Sequence, residues 1–172
     1  DNFERLVRNQ EQPATELWGY LQRLDPTFTD VASYREKVVL IANVPVDSRV
    51  HTAELERLYE KYRRAGFTLV HVVSQNRSAT APAVRRDRAA MEAWVQQKQW
   101  PWRVIWNANP GIRRFYDDWA QNSIPAYLLV GRHGRIEREI PGENALEQRI
   151  RRALIDSRPA ADQQPLDDLL RR

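Results

Sequence analysis

Apolar residues follow two rhythms along this chain. KVVLIANV, residues 37–44, is almost unbroken, as expected of a strand covered on both faces. FTLVHVV at 67–73, PWRVIW at 101–106, AYLLV at 126–130 and RIEREI at 135–140 read as four further strands. Between them the spacing changes to three and four. Leu17, Tyr20, Leu21 and Leu24 mark a helix over 14–24. Leu55, Leu58, Tyr59 and Tyr62 stripe a helix over 50–65, and Gly66 stops it. Ala89, Ala90, Ala93 and Trp94 place another over 85–99, after a loop, SQNRSATAPAV, at 74–84. A helix over 110–120 opens on Pro110, a residue suited to a first turn. The closing helix is 146–155. Arg132-His133-Gly134 is a tight surface turn that joins the last two strands as an antiparallel hairpin.

Strands alternating with helices form parallel β-α-β units, and the hairpin adds an antiparallel edge. The expected architecture is a three-layer α/β/α sandwich with a mixed five-stranded sheet and helical extensions at both ends. Residues 1–24 are an N-terminal helical lead-in, 25–157 the domain, and 158–172 a linker and short amphipathic tail. Leu166, Leu169 and Leu170 share nearly one face of that tail. A chain of 172 residues is one domain by length and buries enough surface to need no covalent staple.

Charge and composition narrow the function classes. No apolar run approaches the ~18 residues of a membrane span. The chain starts at Asp1 and not at Met, which we read as the mark of a processed product or a fragment, in which a removed export signal or anchor would leave no trace. The net charge of +4 comes from 27 basic residues, all arginine except Lys37, Lys61 and Lys98. The arginines are scattered among 23 acids, so they read as codon bias rather than a nucleic-acid surface. There is no cysteine. Disulfides, thiol catalysis and cysteine-based metal sites are therefore excluded.

Four stretches carry a resemblance. SYREKVVLIANV, LERLYEKYRRAGFTLVHV, MEAWVQQKQWPWRVIWN and IPAYLLVGRHGRI occur in this order over residues 25–155. Together they resemble the thioredoxin-like superfamily, in the branch of peroxiredoxins, glutathione peroxidases and membrane-tethered thiol-disulfide oxidoreductases. The resemblance implies a thioredoxin-like fold, with Pro125 cis and packed beside the reactive loop. Here that loop is Pro45, Val46, Asp47, Ser48, Arg49, Val50 and His51. Ser48 falls where such proteins carry the reactive cysteine, and His51 near the second one. A hydroxyl is essentially un-ionised near neutral pH without a base, and disulfide exchange needs sulfur on both sides.

The other candidates have plainer readings. Asp47, Ser48 and His51 lie too close along one loop for a Ser-His-Asp triad, and helix capping accounts for the first two. His51, His71 and His133 show no ligand spacing, so no metal is expected; His133 is read as a surface-turn residue. Gln75-Asn76 is a loop pair. Trp100, Trp102 and Trp106 share one parity, with Arg103 opposed, and read either as packing under a helix or as a partner surface on an edge strand. The expected function is that of a bacterial, redox-inactive, cysteine-free domain, with no cofactor and no enzymatic activity. It acts as a structural or protein-binding accessory subunit of a larger assembly, in an extracytoplasmic, periplasmic or membrane-associated location. Its partners are proteins, not nucleic acid, with membrane proximity through a partner or a removed anchor. A non-thiol enzyme or ligand-binding protein using the polar loop, and a chaperone-like holdase, are the alternatives. The partner surface would be the third-strand edge with Trp100, Trp102 and Trp106, the polar loop at 45–51, or the tail with Leu166, Leu169 and Leu170.

Overall fold

The computed structural model describes residues 14–45, 49–74, 81–107, 126–137 and 145–156. Helix α1 runs Thr15–Leu24, and a 3-10 turn, Val31–Tyr34, leads into strand β1, Val38–Pro45. Helix α2, Arg49–Tyr62, continues as a 3-10 turn, Arg63–Ala65, that ends at Gly66. Strand β2 is Phe67–Ser74, helix α3 Ala81–Lys98 and strand β3 Arg103–Asn107. Strand β4, Ala126–Val130, and helix α4, Leu146–Ile155, complete the described elements. Gly66 sits at φ +94°, a left-handed position that glycine adopts without strain, and its carbonyl accepts from the Val38 amide at 3.0 Å.

The sheet order is β3-β2-β1-β4. β1 pairs in parallel with β2, and β2 with β3; β4 runs antiparallel to β1. Side chains alternate between two cores. On one face Val39, Ile41, Val70, Val72, Ile105 and Val130 pack under α1 and its Leu17, Trp18, Tyr20 and Leu21. On the other, Val38, Leu40, Ala42, Val44, Leu69 and Leu129 pack under Leu55, Leu58 and Tyr62 of α2 and Ile150 and Ala153 of α4. Double coverage is why the β1 pattern is continuous rather than alternating. Each large aliphatic buried this way contributes ~1.5–3 kcal/mol. α1 is thus integral to the first core.

The sandwich, the mixed sheet and the thioredoxin-like order of elements agree with the sequence reading; some boundaries do not. Among the described residues the sheet has four strands. Of the expected fifth, Arg135 and Ile136 form isolated bridges, Ile136 with Val130. α3 begins at Ala81 and not at residue 85, because Pro82 lies in its first turn, where a missing N–H costs nothing. β3 begins at Arg103, opposite Val70, and not at Pro101, which has no N–H to give the ladder. The edge strand is tied to the segment after α1. Arg103 Nη2 donates to the Thr27 carbonyl at 3.0 Å, its guanidinium lies 5.5 Å from the Phe28 ring, and Asp25 and Asp30 pair with it at 3.6 and 3.5 Å. Residues 1–13, the expected helix over 110–120, and the linker and tail at 158–172 lie outside the described residues.

Candidate functional site

β1 and β2 end side by side at the carboxyl edge of the parallel strands, where open α/β sheets hold their ligands. Pro45 ends β1 opposite Ser74, and Asn43 pairs with Ala126, the first residue of β4. Asp47, Ser48, Gln75, Asn76 and Pro125 lie outside the described residues, and with them the cis bond and the capping contacts. His51 is half-buried in the first turn of α2 and holds an interaction partner. Thr52, buried beside it, donates its hydroxyl to the Arg49 carbonyl at 3.0 Å. Val50 points outward and is 80% exposed, beside the exposed Arg49.

Below this rim lies His71, opposite Ala42 on β1 and Val104 on β3. It is 1% exposed, and its ring centroid is 5.4 Å from that of Trp100. Neither ring nitrogen has a hydrogen-bond partner among the described residues. Burial pushes its pKa down to about 4, so the ring is neutral at physiological pH. Trp100 stacks on Trp102 at 5.4 Å and 16°, and Trp94 meets Trp100 edge-on at 5.3 Å. Tyr59 of α2 meets Trp102 at 5.3 Å, and Trp100 Nε1 donates to Glu56 at 3.1 Å. Trp102 is buried and Trp100 and Trp106 are half-buried. Trp102 and Trp100 thus pack against α2 and α3, while Trp100 and Trp106 keep part of their surface exposed.

Two polar clusters were not anticipated from the sequence. The first centres on His133, which is buried at 2% exposure and is not the surface-turn residue expected of Arg-His-Gly. Its Nδ1 accepts from the Arg135 amide at 3.0 Å, and its Nε2 lies 2.9 Å from Glu137 Oε1 and 3.6 Å from Asp156 Oδ2. Ligand atoms of the three residues lie within 4.8 Å of one another, a donor set able to hold a divalent ion. The hydrogen bonding argues otherwise. An imidazole whose Nδ1 accepts must carry its proton on Nε2, so Nε2–H donates to Glu137 and has no lone pair for a metal. Gly131 makes the room: a Cβ there would meet Glu137 Oε1 at 2.2 Å. The four-residue spacing of His133 and Glu137 was a readable signal. Asp156 had none, since only the packing of α4 brings it in.

The second cluster joins α2 to α4. Glu147, in the first turn of α4, accepts from Lys61 Nζ at 2.7 Å, Tyr62 OH at 2.6 Å and Arg57 Nη2 at 3.0 Å. Tyr62 OH in turn accepts from Arg151 Nε at 2.6 Å. Hydrogen bonds from Lys61, then Tyr62 and Arg57, hold the Glu147 pKa down to about 2. This is a structural tie, and its partially exposed cations are all engaged with carboxylates or Tyr62.

No family model matches the chain, and no curated protein matches it. Solved structures do. An uncharacterized thioredoxin-like protein from Porphyromonas gingivalis superposes with a TM-score of 0.52 at 17% identity, over 72% of this chain and 79% of that one. The thioredoxin domain of a thiol-disulfide oxidoreductase from Bacteroides vulgatus gives 0.47 and 16%, covering 72% and 81%. A thioredoxin-family thiol:disulfide interchange protein from Chlorobium tepidum gives 0.47 and 16%, covering 72% and 83%. The fold is thioredoxin-like, and the chain that adopts it has no cysteine.

Proposed function

We propose that this chain is a redox-inactive thioredoxin-like domain that serves as a structural or protein-binding subunit of a larger extracytoplasmic assembly. The observation that carries the reading is a thioredoxin-like fold without a single cysteine in 172 residues. Without a thiolate there is no nucleophile for a disulfide or a peroxide. The best-placed alternative base, His71, is 1% exposed and sealed under Trp100, which speaks against an enzyme working through it. The extracytoplasmic location rests on the sequence resemblance to tethered oxidoreductases. Of the three candidate partner surfaces, the tryptophan edge, the tail and the loop at 45–51 with the first turn of α2, we favour the last, where Val50 stands out as an exposed apolar residue. Two measurements test this. Insulin reduction and peroxide consumption should show no rate above buffer. Native purification of the tagged chain should recover a stoichiometric protein partner that Val50→Asp weakens. Enzyme-proportional turnover, or a strictly monomeric chain under native conditions, overturns the proposal.

A further inference from the structure

The tip of the β4 hairpin is a junction. The Gly134 carbonyl accepts from the Ala14 amide at 3.0 Å, which ties the tip to the start of α1. Arg132 donates to the Ala65 carbonyl at the end of the 3-10 turn after α2. His133 reaches Asp156 beyond α4. Within the tip, the Gly131 amide donates to the Arg135 carbonyl at 2.9 Å and the Gly134 amide to the Gly131 carbonyl at 3.0 Å. Among the described residues the Arg135 amide has no backbone acceptor; it uses the ring of His133. One buried imidazole therefore closes the turn through Nδ1 and holds the carboxylate side through Nε2–H.

These two roles respond oppositely to a proton. A proton taken from solvent by Nδ1 turns an acceptor into a donor that faces the Arg135 N–H, and that bond is lost. The same proton makes the ring an imidazolium, so the Nε2–H bond to Glu137 becomes charge-assisted and Asp156 is drawn in. Among the described residues, Glu137 on the hairpin and Asp156 after α4 are the carboxylates placed against the ring. The Arg132 guanidinium is directed to Ala65, and Arg149 and Arg152 of α4 each hold at least one polar or electrostatic interaction. We propose that the hairpin tip is an acid-responsive latch: neutral His133 closes the turn, and its protonation releases the Arg135 amide while tightening the hold on α4. The released amide lies one residue from the carbonyl that anchors Ala14, so the device links proton uptake to the attachment of α1.

The test is nitrogen-15 NMR on the intact chain from about pH 8 to about pH 5, with circular dichroism to confirm that it stays folded. At the upper end the His133 ring should show a protonated Nε2 and a bare Nδ1. Exchange protection of the Arg135 amide should then fall about tenfold or more in step with protonation of that ring. Glu137→Gln keeps an acceptor for Nε2–H but removes a charge that favours the imidazolium, so Arg135 should keep its protection to lower pH. A proton on Nδ1 at about pH 8 overturns the latch, as does an Arg135 amide indifferent to the ring's titration. Stoichiometric zinc binding that removes the Nε2–H signal overturns it too, and assigns the cluster to a metal.

Discussion

Replacing His71 with leucine should remove a large part of this protein's sensitivity to mild acid. In the unfolded chain the ring takes up a proton near the ordinary value of 6.5, whereas in the fold burial holds it to about 4. The fold therefore favours the neutral ring. Stability from this source is complete above 6.5, is lost as the pH falls towards 4, and changes no further below that. At ~1.36 kcal/mol per pH unit the full loss is roughly 3 kcal/mol, and at about pH 5 it is roughly 2 kcal/mol relative to about pH 7.5. Leucine has a similar volume, does not titrate and leaves no nitrogen without a partner. A buried polar atom without a hydrogen bond costs ~1–3 kcal/mol, while losing the ring contact with Trp100 costs ~0.5–1.5 kcal/mol. At about pH 7.5 the variant should thus be at least as stable as the parent, to within about 1 kcal/mol.

Urea unfolding at both pH values, in both proteins, gives the needed difference of differences. The carboxylates that also lose stability in acid are common to the two proteins and cancel. The parent should lose roughly 2 kcal/mol more than His71→Leu on going to about pH 5, with unchanged denaturant slopes. Equal losses would refute the reasoning, because they would mean that His71 reaches solvent or finds a partner in the folded state.

Three further substitutions probe other parts of the fold. Gly131→Ala puts a Cβ 2.2 Å from Glu137 Oε1 and 2.8 Å from His133 Nε2, and thermal unfolding should show a loss of ~1–3 kcal/mol. Gly66→Ala forces a side chain into φ +94°, 3.1 Å from the Arg132 guanidinium, and should cost ~1 kcal/mol or more in the same assay. Glu147→Gln removes the charge at the α2–α4 tie. The pKa of Glu147 is depressed to about 2, so its contribution is present above the ordinary 4.5 and lost as the pH falls through about 2. The variant should melt earlier than the parent near neutral pH, and the gap should close in strong acid.

What could be read in the sequence follows the length scale of each interaction. β1 was legible because a strand covered on both faces leaves a run of apolar residues that nothing else in the chain imitates. β4 and α4 were legible to the residue, since Gly131 and Ala145 flank short and strongly patterned segments. The start of α3 was not, because Pro82 reads as a loop signal until its place in a first turn is known. The tryptophan row shared one parity, but parity alone does not say what packs on that face; Tyr59 meets Trp102 and Trp94 meets Trp100, and these partners come from different elements. His133 shows the same limit more sharply. Beside a glycine in a tight turn it had every mark of a solvated residue. Its burial comes from Glu137 four residues on and from Asp156 at the far end of α4, with Gly131 supplying the space. The absence of thiol chemistry is visible from composition alone, since a missing sulfur needs no geometry to detect. His133, Glu137 and Asp156 became a functional candidate only when packing brought distant residues together, and so the hairpin tip yields a testable device.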